Sequence, residues 1–222
     1  MSKTLSAFRP VDGADGLVHS ARKGNLRCTA IRLRDGGLCL YSPVAGLGMA
    51  ARDSLEALGP VAYLLAPNHY HHKGLAEYCA AFPDAQLICS TAARPRLETQ
   101  TSLSFAACED ADLGLPPLAR VVVPNGLKTG EIWIALRTGS DMIWIVTDAF
   151  CGEQAASDTV SDAPRLLGTF PRFGIGDRSA YRAWLAGQVA TAAPTRIIPC
   201  HGSIIHGDAL GAQALQLIDA LG

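Results

Sequence analysis

Short apolar runs alternate along this chain with stretches in which apolar residues recur at helical spacing. Residues 26–33 and 38–41 read as two strands. Arg34-Asp35-Gly36-Gly37 between them suits a tight antiparallel hairpin. Apolar positions predict a helix over 50–58, stopped by Gly59-Pro60. Residues 61–66 form an apolar run of strand length, and Leu75, Tyr78, Cys79 and Phe82 mark a helix after it. A Pro83-Asp84 turn then leads to a strand over 85–89. The stretch 91–117 has no clear periodicity and predicts no element. Strands near 120–123, 132–136 and 142–146 read as a meander, with Thr138-Gly139-Ser140-Asp141 as the last turn. The Gly-, Asp-, Phe- and Pro-rich stretch 149–177 reads as a long loop with a short helix around 164–167, the kind of segment that borders a pocket. A helix over 180–190, a strand over 196–199 and a closing helix over 208–221 complete the pattern.

Candidate chemistry concentrates where strands end. Pro67-Asn68-His69-Tyr70-His71-His72-Lys73-Gly74 places three of the chain's six histidines within four positions, at a strand-to-helix junction. Imidazole is the commonest protein metal ligand. The run 142–146 ends in Thr147-Asp148, and the run 196–199 ends in Cys200-His201-Gly202. If these strands lie in neighbouring sheets with the same end up, Asp148, His201 and the histidine cluster meet on one rim. Such a set suits Zn²⁺ first, and Fe or Mn as well.

Composition narrows the setting. With 222 residues, 49% apolar and 18% charged, the chain reads as one globular domain over 1–222. Nineteen basic against twenty acidic side chains give no general attraction to nucleic acid or anionic membrane, so small-molecule or protein partners are expected, a small-molecule substrate first. Residues 1–16 lack the apolar core of a signal peptide, and no apolar run reaches the ~20 residues that span a bilayer. A cytoplasmic location is the expectation. Seven cysteines without any C-x-x-C pair are poor material for a disulfide framework, and most read as small core residues.

The order of these features resembles the metallo-β-lactamase-fold superfamily of hydrolases over most of the chain: opening hairpin, helix, strand with a histidine motif, meander ending in Thr-Asp, late strand ending in His-Gly. The resemblance implies an α+β fold, a four-layer αββα sandwich. The family motif H-x-H-x-D-H-x-G, aligned at His72-Lys73-Gly74, puts Pro67 at the first histidine, His69 at the second, His71 at the aspartate and His72 at the third. The P-G-H-x-x-G motif is matched by 124–130 with one inserted residue, and Leu127 stands at its histidine. Asp148 matches the bridging aspartate and His201 the last histidine. Of the first-metal set only His69 remains. The second-metal set becomes His71, His72, His201 and Asp148, so the resemblance implies one divalent metal, with His69 marginal.

The chemistry so implied is hydrolysis of an ester, lactone, thioester or related bond in a small molecule. The metal would activate water and polarise the carbonyl, and Asp148 and His72 would serve as catalytic residues. Three other readings remain open. A metal-free descendant would keep the fold for binding or scaffolding. Cys200 or Ser203 with His201 would make a metal-independent hydrolase. A single non-haem iron would make an oxidoreductase, although that chemistry depends on the missing first-metal histidines. For side chains outside the cluster, His19 reads as solvated, Trp133 and Trp144 as core, and Lys73, Lys128 and Tyr70 as surface groups.

Overall fold

The structure, a computed structural model, describes residues 4–109, 111–139, 141–154 and 159–221. Its first half builds one sheet from seven strands: β1 (Arg9–Pro10), β2 (Val18–Lys23), β3 (Leu26–Arg32), β4 (Leu38–Tyr41), β5 (Val61–Leu65), β6 (Gln86–Cys89) and β7 (Ala106–Ala107), in that spatial order. The first four pair antiparallel and the last three join in parallel. The helices α1 (Met49–Leu58), α2 (Leu75–Ala81) and α3 (Arg94–Thr101) supply the crossovers. Parallel pairing requires such crossovers.

The second half adds β8 (Ala119–Val122), β9 (Trp133–Thr138), β10 (Asp141–Val146), β11 (Val160–Ser161), β12 (Arg196–Pro199) and β13 (Ile204–His206). They form a sheet in the order β11-β13-β12-β10-β9-β8. The helices here are α4 (Phe170–Phe173), α5 (Arg178–Ala192) and α6 (Leu210–Asp219). Asp177 caps α5 by accepting a hydrogen bond from the Ala180 N–H at 3.0 Å.

Alternation along the strands produces the four layers. Ile134, Leu136, Ile143, Ile145 and Ile198 pack toward Ile31, Cys39, Tyr41, Leu65 and Ile88 of the other sheet. Their sequence neighbours Trp133, Ala135, Trp144 and Ile197 face the opposite way, onto Tyr181 and Leu185 of α5 and Leu210, Ala214 and Ile218 of α6. The first sheet covers its outer face likewise, with Ala30, Leu40 and Leu64 against Ala51, Leu55 and Tyr78. A period of two with both faces buried thus gives helix, sheet, sheet, helix, the αββα sandwich expected.

Several features depart from the sequence reading, which has no counterpart for β1, β2, β11 or β13. Residues 91–117 contain α3 and β7. The helix buries only Leu97 among its own residues, so it has no apolar stripe to betray it. The short helix expected around 164–167 forms instead at Phe170–Phe173. His19 is buried within β2, and desolvation, then the Arg32 charge, lowers its pKa. Of the turn over 138–141, Ser140 lies outside the described residues.

Candidate metal centre

Strand register brings the candidate residues together. In the second sheet β10 and β12 run parallel with Val146 opposite Pro199. Asp148 and His201 each stand two residues beyond that pair, so they leave the sheet at one level. In the first sheet β4 and β5 run parallel with Tyr41 opposite Leu65, and Ser42 and the loop 66–74 leave from the matching end. Tyr41 ties the two sheets here: its hydroxyl donates to the Ile132 carbonyl at 2.6 Å and lies 2.7 Å from Thr147 Oγ1.

His71, Asp148 and His201 meet, with one ligand atom from each lying within 4.8 Å of the others. Asp148 Oδ1 is 3.0 Å from His71 Nε2 and 3.1 Å from His201 Nε2. Two of the donors are also held from behind. Ser42 Oγ lies 2.7 Å from His71 Nδ1, and the buried Asn68 donates from Nδ2 to Asp148 Oδ2 at 2.8 Å. Asn68 Oδ1 accepts from the Tyr70 N–H as well, which shapes the turn that delivers His71. The His201 loop is pinned by the N–H of Arg27 on the Cys200 carbonyl and the N–H of Gly202 on the Asn25 carbonyl. Gly202 has φ +81° and Gly74 lies against the Pro43 carbonyl; a Cβ at either would strike backbone.

Beneath Asp148 lies Glu131, 1% exposed. Its carboxylate accepts from Trp133 Nε1 at 2.7 Å and from the N–H groups of Thr147, Asp148 and Ala149 at 3.3 Å each. Burial, then the Asp148 charge, raises the Glu131 pKa. Burial acts on Asp148 in the same direction, but the His71 charge and hydrogen bonds from His201 and His71 outweigh it and hold that carboxyl below the usual carboxylate range. Asp148 is therefore an ionised group suited to holding a cation or orienting a proton donor. It is a poor proton acceptor near neutrality.

His69 and His72 stand outside the converging set. His69 Nε2 is 3.3 Å from Arg96 Nη1, and its N–H bonds the Thr129 carbonyl at 3.2 Å. Burial, then the Arg96 charge, lowers its pKa to about 4. The Nε2 of this ring lies against the guanidinium and not with the three converging donors. His72 does not line the cleft over the three converging residues; its pKa is lowered by burial and by Lys73. Cys200 is buried, with its thiol pKa pushed up by that burial, and this leaves it a poor nucleophile.

The donor set fits a divalent metal. Two imidazole nitrogens and one carboxylate oxygen, two of them braced by a further hydrogen bond, would hold such an ion beside a cleft of about 740 Å³ that all three residues line. Sequence reasoning singled out His71, Asp148 and His201. It passed over Ser42, Asn68, Arg96 and Glu131. Asn68 was visible as an Asx-turn residue inside the histidine motif, and Glu131 as an acid at the head of an apolar strand. Arg96 had no signal, since it lies on the helix without an apolar stripe.

No family model matches the sequence, and no curated protein does. Solved structures do match. A metallo-beta-lactamase from Pontibacter korlensis is 13% identical with a TM-score of 0.59, covering 99% of this chain and 97% of that one. A fragment of a diflavin flavoprotein from Nostoc is 12% identical with a TM-score of 0.65, covering 97% and 96%. A metal-soaked flavodiiron core from Synechocystis is 16% identical with a TM-score of 0.60; this chain is covered over 97% but spans only 62% of that one. Together with the layers and the strand order, these likenesses show that the chain has the metallo-β-lactamase fold.

Proposed function

We propose that the protein is a hydrolase of a small-molecule ester, lactone, thioester or related bond, acting with one divalent metal held by His71, Asp148 and His201. The observation that carries this reading is the convergence of those three donors in the lining of the cleft. A divalent ion bound there supplies a Lewis acid for a carbonyl oxygen and lowers the pKa of a water.

The chain's own residues do the rest. Asn68 and Ser42 fix the carboxylate and the His71 ring, so the donors are set before substrate arrives. Asp148, ionised, orients a water by accepting a hydrogen bond from its O–H. Zn²⁺ suits the nitrogen-rich set, and Fe or Mn suits it as well. The seven free cysteines fit a reducing, cytoplasmic setting. Among the described residues no helix is long and apolar enough to cross a membrane.

A specific observation favours a second reading, a metal-free binding protein. The two Nε2–Oδ1 separations, 3.0 and 3.1 Å, are hydrogen-bond lengths, and with Ser42 donating to His71 Nδ1 the network closes without an ion. A panel of esters, lactones and thioesters assayed with and without added Zn²⁺ separates the two. The hydrolase reading expects turnover that needs metal and disappears in Asp148→Asn. Turnover of no panel member under either condition favours the binding protein.

A further inference from the structure

The cleft above His71, Asp148 and His201 carries an asymmetric charge that the metal-dependent reading does not use. Three cations, Lys23, Lys73 and Arg96, line it, against Asp148 as its one lining carboxylate. Asp148 already accepts from Asn68 and lies against both histidines. None of the three cations pairs with a carboxylate among the described residues; Lys23 Nζ donates to the Ala45 carbonyl at 2.8 Å. Arg96 is braced on two sides, by His69 Nε2 at 3.3 Å and by the Tyr70 ring with its centroid 4.8 Å from the guanidinium carbon. One N–H direction is used and the remaining donors of the fork are left for a ligand.

Much of the remaining lining is apolar. Val44, Leu167 and Phe170 belong to it, as do Leu26 and Phe173, 39% and 45% exposed. Large apolar side chains left in water around one cleft mark a surface that a ligand covers. From the braced cation and the apolar lining together we infer that the cleft binds an amphipathic organic anion. Its carboxylate or phosphate pairs with Arg96, assisted by Lys73, and its acyl or aryl body lies along Leu26, Leu167 and Phe173. This takes the cleft to be the substrate site of the reading above and names the substrate class.

The test is isothermal titration calorimetry on the full chain, dialysed against a chelator, with octanoate, octyl phosphate, 1-octanol and acetate. Octanoate or octyl phosphate binds about tenfold or more tightly than octanol, acetate does not bind measurably, and Arg96→Gln removes the anion's advantage. Phe173→Ser weakens the octyl ligands alike. Whichever of octanoate and octyl phosphate binds more tightly tells carboxylate from phosphate as the headgroup. Equal affinity for octanol and octanoate, octanoate affinity unchanged in Arg96→Gln, or no binding of either octyl anion overturns the inference. Because the measurement is made without metal and without turnover, anion binding that persists in a protein hydrolysing nothing sinks only the hydrolase reading.

Discussion

The guanidinium of Arg96 lies 3.3 Å from His69 Nε2, so the histidine that the motif alignment gives to the first metal faces a positive charge. The same alignment puts His72 with His71 in the second-metal set, and the structure leaves both His69 and His72 outside the group that converges. His69→Gln and His72→Gln should each leave zinc stoichiometry unchanged. His71→Gln, His201→Gln and Asp148→Asn should each remove tight binding. Competition against a chromophoric chelator reads the difference, and loss of zinc in His69→Gln would move the centre toward Arg96.

The groups behind the donors should matter nearly as much as the donors. Ser42→Ala frees His71 Nδ1 and Asn68→Ala frees Asp148 Oδ2. Each should weaken metal binding by about 10–100-fold in a chain that still folds. The check is the same competition assay with circular dichroism on each variant; wild-type affinity in both would mean that the bracing is idle.

Glu131 gathers the Trp133 indole and three consecutive backbone N–H groups. Glu131→Ala orphans four buried donors, and at about 1–3 kcal/mol for a buried donor left unpaired the loss should exceed 3 kcal/mol in urea unfolding. Glu131→Gln keeps one carbonyl acceptor and should lose clearly less. Equal stabilities for the two variants would mean that the acceptor is not what matters.

Burial pushes the thiols of Cys28, Cys39 and Cys89 up to about 12. In the unfolded chain they ionise near the ordinary value of about 8.5, so between that pH and about 12 the unfolded state has released protons that the folded state retains. Their contribution to stability is whole below about pH 8.5 and declines as pH rises through that window. Melting temperatures at pH 7, 9 and 10.5 should fall in that order. In the native state a thiol reagent should label Cys79 and Cys151, the two that are not fully buried, before the others. Rapid native labelling of Cys200 would contradict its burial and reopen a thiol mechanism.

The fold was legible where burial is two-sided. Apolar runs such as Met142–Val146 and Arg196–Pro199 leave few alternatives to strands, and their ends pointed to Asp148 and His201. The histidine motif located the rim but not which ring faces inward. That choice depends on the Asn68 turn and on Ser42, whose φ of +58° at the end of β4 is invisible in composition. Helix α3 was illegible because it gives only Leu97 to a buried cluster with Ala66, Leu75, Cys89 and Phe105 and has no periodic apolar face. With it went Arg96, the residue that distinguishes this cleft.

On the proposed reading His71, Asp148 and His201 hold one metal. Inductively coupled plasma mass spectrometry on protein purified without an affinity tag or chelator, scoring zinc, iron and manganese per chain, decides whether they do. About one equivalent is expected in the wild type and in His69→Gln, and none in Asp148→Asn. No bound metal, even after Zn²⁺ is added to the purified chain, would contradict it and leave the closed hydrogen-bond network as the functional state.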